Sequence, residues 1–149
     1  MKKIIALFVM ALLASAAMAN SIEKKIAANE LPEKAQNFLA TYFEGVKVKK
    51  VIKSTDAYNF VEEYDVYLAD KTIIEFDMVG AWNEITIKNK KVTMPEFIYP
   101  NRVTQTLDQQ FAGKRIVKVS NDGMEYEFDF KDGSEVTINA LGKVIEFDK

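Results

Sequence analysis

Apolar and polar residues alternate most clearly at Met124–Lys131. Met124, Tyr126, Phe128 and Phe130 share one parity, and Glu125, Glu127, Asp129 and Lys131 share the other. A period of two belongs to a strand with one face on a core and the other in water. The same reading directs Ile74, Phe76 and Met78 inward and Ile73, Glu75 and Asp77 outward. Ile85 and Ile87 are read as inward, as are Ile145 and Phe147. Trp82 then falls on the outer face beside Glu84 and Thr86, and Val61, Glu63, Asp65 and Tyr67 join it there. Two segments follow the helical period instead. Ala35, Phe38, Leu39, Tyr42 and Phe43 form one apolar stripe, and Val103, Leu107 and Phe111 a sparser one. Pro32 and Pro100 suit first helical turns, and Gly45 and Gly113 suit the stops.

The pattern repeats. Asp70–Ile85 aligns without a gap on Asp132–Phe147 at an offset of 62, and Tyr64, Val66 and Leu68 fall on Tyr126, Phe128 and Phe130. Upstream the offset is 68, so that Leu39 matches Leu107 and Gly45 matches Gly113. The expected strands are 46–53, 58–69, 72–78 and 82–87, then 114–120, 124–131, 134–140 and 143–147. Lys131-Asp132-Gly133-Ser134 reads as a tight hairpin, and Gly80 and Gly142 mark the following turns. Short connections imply antiparallel neighbours. The expected fold is α+β: two tandem helix-plus-four-strand repeats, at about 26–90 and 91–149, forming a large antiparallel sheet with the helices packed on one face.

The beginning of the chain reads differently. Met1-Lys2-Lys3 is a short positive segment, Ile4 to Leu13 an apolar run, and Ala17-Met18-Ala19 an A-x-A-like cleavage site. Those are the three parts of a secretory signal in order, which predicts export to the periplasm and a domain over 20–149. The run is short for a membrane anchor, so none is expected after cleavage. No cysteine is present to carry a lipid. Without Lys2 and Lys3, 18 basic and 22 acidic residues remain, a net charge of −4. No basic run exceeds three residues, so nucleic acid is not an expected partner.

The chain has no histidine and no cysteine. Ser-His-Asp and Cys-His catalysis, thiolate zinc sites and disulfides are therefore excluded. Carboxylate chemistry and oxygen-ligated calcium are not. The carboxylates sit at alternating strand positions, where a solvated face is the ordinary reading, and no catalytic residue is assigned. A calcium-binding protein stays open as a weaker alternative, on the acid-rich face and the oxygen-rich turns Asn121-Asp122-Gly123 and Asp132-Gly133. A carboxylate-dependent hydrolase ranks below it. The candidate partner-binding residues are Trp82, Tyr67, Ile73, Val61, Glu63, Asp65, Glu75 and Glu84. An aromatic on an open sheet is a docking anchor if exposed, whereas a register shifted by one residue would bury it.

One set of residues also resembles a known family. The leader is followed by Leu31-Pro32-x-x-Ala35, Phe38-Leu39 and Phe43-x-Gly45-x-x-Val48, then by Ile74-Glu75-Phe76-Asp77, Gly80 and Trp82. This resembles the PepSY-like, beta-lactamase-inhibitor-like periplasmic proteins, over about 26–149. The resemblance implies a tandem αβ architecture and a binding role, such as inhibition of an envelope protein or peptidase, with no catalytic residues to carry over. Val144 stands at the position of Trp82 in the second copy, and Glu96-Phe97-Ile98-Tyr99-Pro100 is an unusual link into the second helix. Two symmetric binding sites are therefore not expected.

Overall fold

The computed structural model describes residues 21–149. The expected signal segment, 1–19, lies outside the described residues. A first strand, β1 (Ile22–Ile26), precedes a single 3-10 turn and helix α1 (Glu33–Tyr42). Strands β2 (Val48–Thr55), β3 (Val61–Leu68), β4 (Thr72–Asp77) and β5 (Trp82–Ile87) follow. A linker then leads to helix α2 (Asn101–Gln110), and β6 (Ile116–Asn121), β7 (Glu125–Phe130), β8 (Glu135–Asn139) and β9 (Val144–Asp148) complete the chain. The nine strands form one sheet in chain order, every neighbouring pair antiparallel.

The helices begin and end for local reasons. Pro32 and Pro100 are the N-caps, with ψ of 143° in both. A fixed φ is pre-set there, and the missing N–H has no helical partner to lose. Each helix closes at a phenylalanine, Phe43 or Phe111, whose N–H donates to Leu39 or Leu107 one turn back. Gly45 (φ +76°) and Gly113 (φ +79°) then reverse the chain.

Both helices cover the same face. Phe76, Phe128, Ile74, Ile85, Val66, Val119 and Ile138 are fully buried there beneath Ala35, Val103 and Leu107. Phe38 of α1 meets Phe76 edge-on at 5.6 Å between ring centres, and Phe111 after α2 stacks on Phe130 at 5.7 Å. The space between the helices is filled from the sheet and the linker. Trp82 lies 6.2 Å from Phe38 and 6.2 Å from Tyr126, while Tyr99 packs on Tyr126 and Phe128. Ile98 of the linker is buried, and the Arg115 guanidinium donates to the carbonyls of Asn89, Lys90 and Val92.

The inward set of core residues is largely the one that alternation predicts, but β-bulges break the period in several places. Phe76 pairs with Trp82 and Glu75 with Glu84, so Asn83 is an extra residue. Trp82 therefore lies on the helix-covered face, not the outer one. Ile145 is the extra residue in β9, where Ile138 pairs with Val144 and Thr137 with Glu146. Val144 rather than Ile145 packs on the core. Glu62 is extra in β3, so Val61 pairs with Thr55 and is half-buried against the core, which removes it from the outer face too. Lys49 and Val117 are the extra residues near the starts of β2 and β6. A bulge sets two residues against one, so every position before it changes face. Met78 (63% exposed) and Met124 (76% exposed) were expected inward, but each lies beyond the end of its strand, in a turn. The edge strand β1 has no counterpart among the expected strands: Ile22-Glu23-Lys24-Lys25-Ile26 is too polar to signal itself.

The β4–β5 and β8–β9 turns touch the helix starts. A Cβ at Gly80 would stand 2.8 Å from the Ala35 nitrogen, and one at Gly142 2.6 Å from the Arg102 carbonyl oxygen. Gly80 also has φ +84°, whereas Gly45 is similarly left-handed but opens onto empty space. Gly80→Ala therefore combines backbone strain with a clash and should cost about 2–4 kcal/mol. Gly45→Ala meets strain alone, about 1–2 kcal/mol. Thermal unfolding of the two variants should place Gly80→Ala clearly below Gly45→Ala, and equal melting temperatures would contradict the close approach.

Candidate functional site

Strand pairing sets the outer-face residues in rows across the sheet. One row runs Lys25, Ile52, Asp65, Glu75, Glu84, Ser120, Glu127, Thr137 and Glu146 from β1 to β9. The row on one side holds Glu63 opposite Asp77, and the row on the other holds Lys50, Tyr67, Ile73, Thr86, Lys118, Asp129 and Glu135. No helix among the described residues covers this face. Of the eight residues singled out from the sequence, Tyr67, Ile73, Glu63, Asp65, Glu75 and Glu84 are brought together here. Trp82 and Val61 are on the opposite face. Trp82 instead lines a groove of about 380 Å³ with Phe38 and Tyr42 of α1.

Three like charges directly opposite one another, Asp65, Glu75 and Glu84, oppose folding. Neighbouring side chains also shield them from water. Burial, then the charges of Glu63, Glu84 and Asp65, push the Glu75 carboxyl up to about 7, and a hydrogen bond with Glu63 favours its protonated form further. Glu63 and Asp65 are raised as well, chiefly by burial, then by the charge of Asp65 on the former and of Glu23 on the latter. Two ammonium groups oppose this: Lys118 Nζ lies 2.9 Å from Glu84 Oε2, and the charge of Lys50 acts to lower Asp65. Burial works against the Lys118 charge, yet the Glu84 pair and the surrounding carboxylates hold its pKa above the ordinary value. Lys50 Nζ stands 4.1 Å over the ring of Tyr67.

Further along the face, carboxylate oxygens of Glu127, Asp129 and Glu135 lie within 4.8 Å of one another. Sequence reading named Glu127 and Asp129 among the outward acids but neither Glu135 nor the group, because the contact depends on the register of β7 with β8. The oxygen-rich turns turn out to be spent on their own backbone. Asp122 accepts from the N–H groups of Met124 and Glu125, and Asn121 from that of Gly123. Asp132 accepts from the Ser134 N–H and pairs with Lys114 at 2.5 Å, which holds its carboxyl well below the usual range. Two hydroxyls of this face donate to the Glu84 carboxylate, Thr86 Oγ1 at 3.2 Å and Ser120 Oγ at 3.4 Å.

Trp82→Ala should destabilise the protein by about 2–4 kcal/mol, since it empties the seam between the helices, and should be read by chemical denaturation. A loss under about 0.5 kcal/mol, the range of ordinary surface changes, would return Trp82 to the surface. The outer face predicts a pH effect of definite sign. Glu75 titrates near 4.5 when unfolded and near 7 when folded. Between those values the folded state holds more protons, so this group's contribution to stability is greatest below 4.5 and declines as pH rises through 7. Glu75→Gln should raise the melting temperature at pH 8 and leave it nearly unchanged at pH 5. A variant that gains nothing at pH 8 would contradict the strained charge.

Comparison with known proteins agrees with the fold. A putative periplasmic protein of the DUF2874 family from Bacteroides vulgatus is 28% identical, with 85% of this chain and 97% of that one covered at a TM-score of 0.74. A second putative periplasmic protein of unknown function from that organism is 26% identical, with 87% and 100% covered and a TM-score of 0.74. A putative calcium-regulated periplasmic protein from Bacteroides thetaiotaomicron shares the fold at a TM-score of 0.75 and 23% identity, with 85% and 97% covered. No curated protein matches the chain. No helix among the described residues is long and apolar enough to cross a membrane. The family model described as "Putative beta-lactamase-inhibitor-like, PepSY-like" matches residues 62–146, more than half of the sequence and the stretch from β3 to β9, and the chain belongs to that PepSY-like family.

Proposed function

We propose that this protein is a non-catalytic binding module of the periplasm, whose open sheet face takes a cationic segment of an envelope protein or peptide. The observation that supports the reading is the run of Glu63, Asp65, Glu75 and Glu84 across β3 to β5, a concentration of half-buried negative charge with one ion-pairing lysine. A basic partner would relieve the repulsion that the fold leaves in place, and Tyr67 and Ile73 beside the row add apolar contact. The periplasmic location rests on the leader pattern and on the periplasmic structural neighbours. The groove at Trp82 stays outside the proposed surface.

We also infer that β2–β5 with α1 and β6–β9 with α2 are two copies of one unit. Bulges at Asn83 and Ile145, and at Lys49 and Val117, recur at the offsets of 62 and 68, and so do the glycine contacts at the helix starts. A second functional reading, calcium binding, is favoured by the Glu127, Asp129 and Glu135 group and by the name of the Bacteroides thetaiotaomicron neighbour.

Calorimetric titration with a lysine- and arginine-rich peptide, an acidic peptide and calcium chloride separates the readings. The basic peptide should bind, weaken with salt, and lose at least tenfold in affinity to Asp65→Asn/Glu75→Gln. Equal affinity in the variant, or preference for the acidic peptide, would sink the proposal. Saturable calcium uptake lost in Glu127→Gln/Asp129→Asn would favour the second reading.

A further inference from the structure

The outer face is not uniformly acidic. At the end of the sheet where β2 bulges and β3 turns into β4, a cavity of about 420 Å³ opens. Its rim carries Lys25 from β1, Lys49 and Lys50 from β2, Lys71 from the β3–β4 turn, and Lys88 after β5. Its floor holds Tyr67 and Ile73, which lie directly opposite each other in β3 and β4. Five lysines thus line one cavity in a protein with a net charge of −2. The ion pairs found among the described residues involve Lys114 and Lys118, and none of these five. The carboxylate that feels this group is Asp65 in the neighbouring row, through Lys50.

The simplest account of exposed lysines is a solvated rim. The rest of the chain argues against it here. Positions 62 or 68 residues further on occupy the corresponding places in the second unit. There Lys49 becomes Val117, Lys71 becomes Gly133, Tyr67 becomes Asp129 and Ile73 becomes Glu135. The bulge at Val117 and the strand pairing persist without Lys49 and Lys71, so the fold does not require those two, whereas Lys50 keeps its charge as Lys118.

The donor set indicates the class of ligand. All five cations are lysines, compact point charges, and none is the planar fork that arginine offers to a carboxylate. Such a ring suits a compact dianion with several oxygens. The cavity is within the range of small-molecule sites, and the Tyr67–Ile73 floor favours a ligand with an apolar part. We infer that this cavity is an anion-binding site for a phosphomonoester bearing an aromatic or apolar group, with Lys49, Lys50, Lys71 and Lys88 holding the phosphate and Tyr67 and Ile73 contacting the rest. The cavity excludes Glu63, Asp65, Glu75 and Glu84 of the proposed cationic-partner surface, while Tyr67 and Ile73 border both.

Titration followed by amide NMR shifts tests it, with phenyl phosphate, inorganic phosphate and benzoate as probes. Phenyl phosphate should give saturable shifts centred on Lys50, Tyr67, Lys71, Thr72 and Ile73. Inorganic phosphate should act at the same amides at least threefold more weakly, and benzoate more weakly still. The exposed-lysine variant Lys49→Gln/Lys71→Gln/Lys88→Gln should bind phenyl phosphate at least tenfold more weakly, whereas Lys131→Gln/Lys143→Gln and Glu75→Gln should not weaken it. Shifts that never saturate, shifts spread equally over Lys24, Lys131 and Lys143, or unchanged binding by the triple variant would overturn the site.

Discussion

Burial of one face of a nine-stranded sheet under two short helices sets the terms for the rest of this structure. Strands about 4.8 Å apart make such a sheet roughly 40 Å wide, and a helix covers a band of only about 10 Å. Two ten-residue helices therefore leave a gap along the middle strands. Trp82, Tyr99, Tyr126 and the buried Ile98 of the linker fill it. The aromatic seam joins the halves of the molecule, and Arg115 holds the linker that supplies part of it.

Committing both helices to one side decides the other side by default. The outer face has its backbone hydrogen bonds satisfied within the sheet but no layer over its side chains. Carboxylates from consecutive strands are held opposite one another by register alone, as with Asp65, Glu75 and Glu84. The fold tolerates the repulsion because its stability comes from the opposite face, where Phe76, Phe128 and Ile74 are sealed. Stability and surface chemistry thus lie on opposite faces of the same strands. The outer residues are free to differ between the halves: basic around Tyr67 and Ile73, acidic around Asp129 and Glu135.

Membership of the PepSY-like family agrees with the architecture. The prolines, glycines and core aromatics that carry the family pattern lie at helix starts, turns and the buried face. The lysines that rim the cavity are not part of that pattern, whereas Glu75 and Asp77 of the charged rows are. Trp82 belongs with the first group, since it packs between α1 and β7 and does not stand on the open face.

The sequence by itself determined the parity of the uninterrupted strands. Tyr126, Phe128 and Phe130 on one side and Glu127 and Asp129 on the other follow from a period of two, as do Ile74, Phe76, Glu75 and Tyr67. It also determined the helix limits, because Pro32, Pro100, Gly45 and Gly113 act through their own backbone. Only the tertiary structure decided where the period fails. A bulge such as that at Asn83 is a mismatch between two strands, and neither strand carries its signal alone. That one extra residue moved Trp82 from the open face to the core, as Glu62 moved Val61. Pairing likewise decided which acids meet, and which lysines from β1, β2, the β3–β4 turn and the end of β5 share a cavity. Those contacts join residues as far apart as Lys25 and Lys88, and local sequence has no term for them.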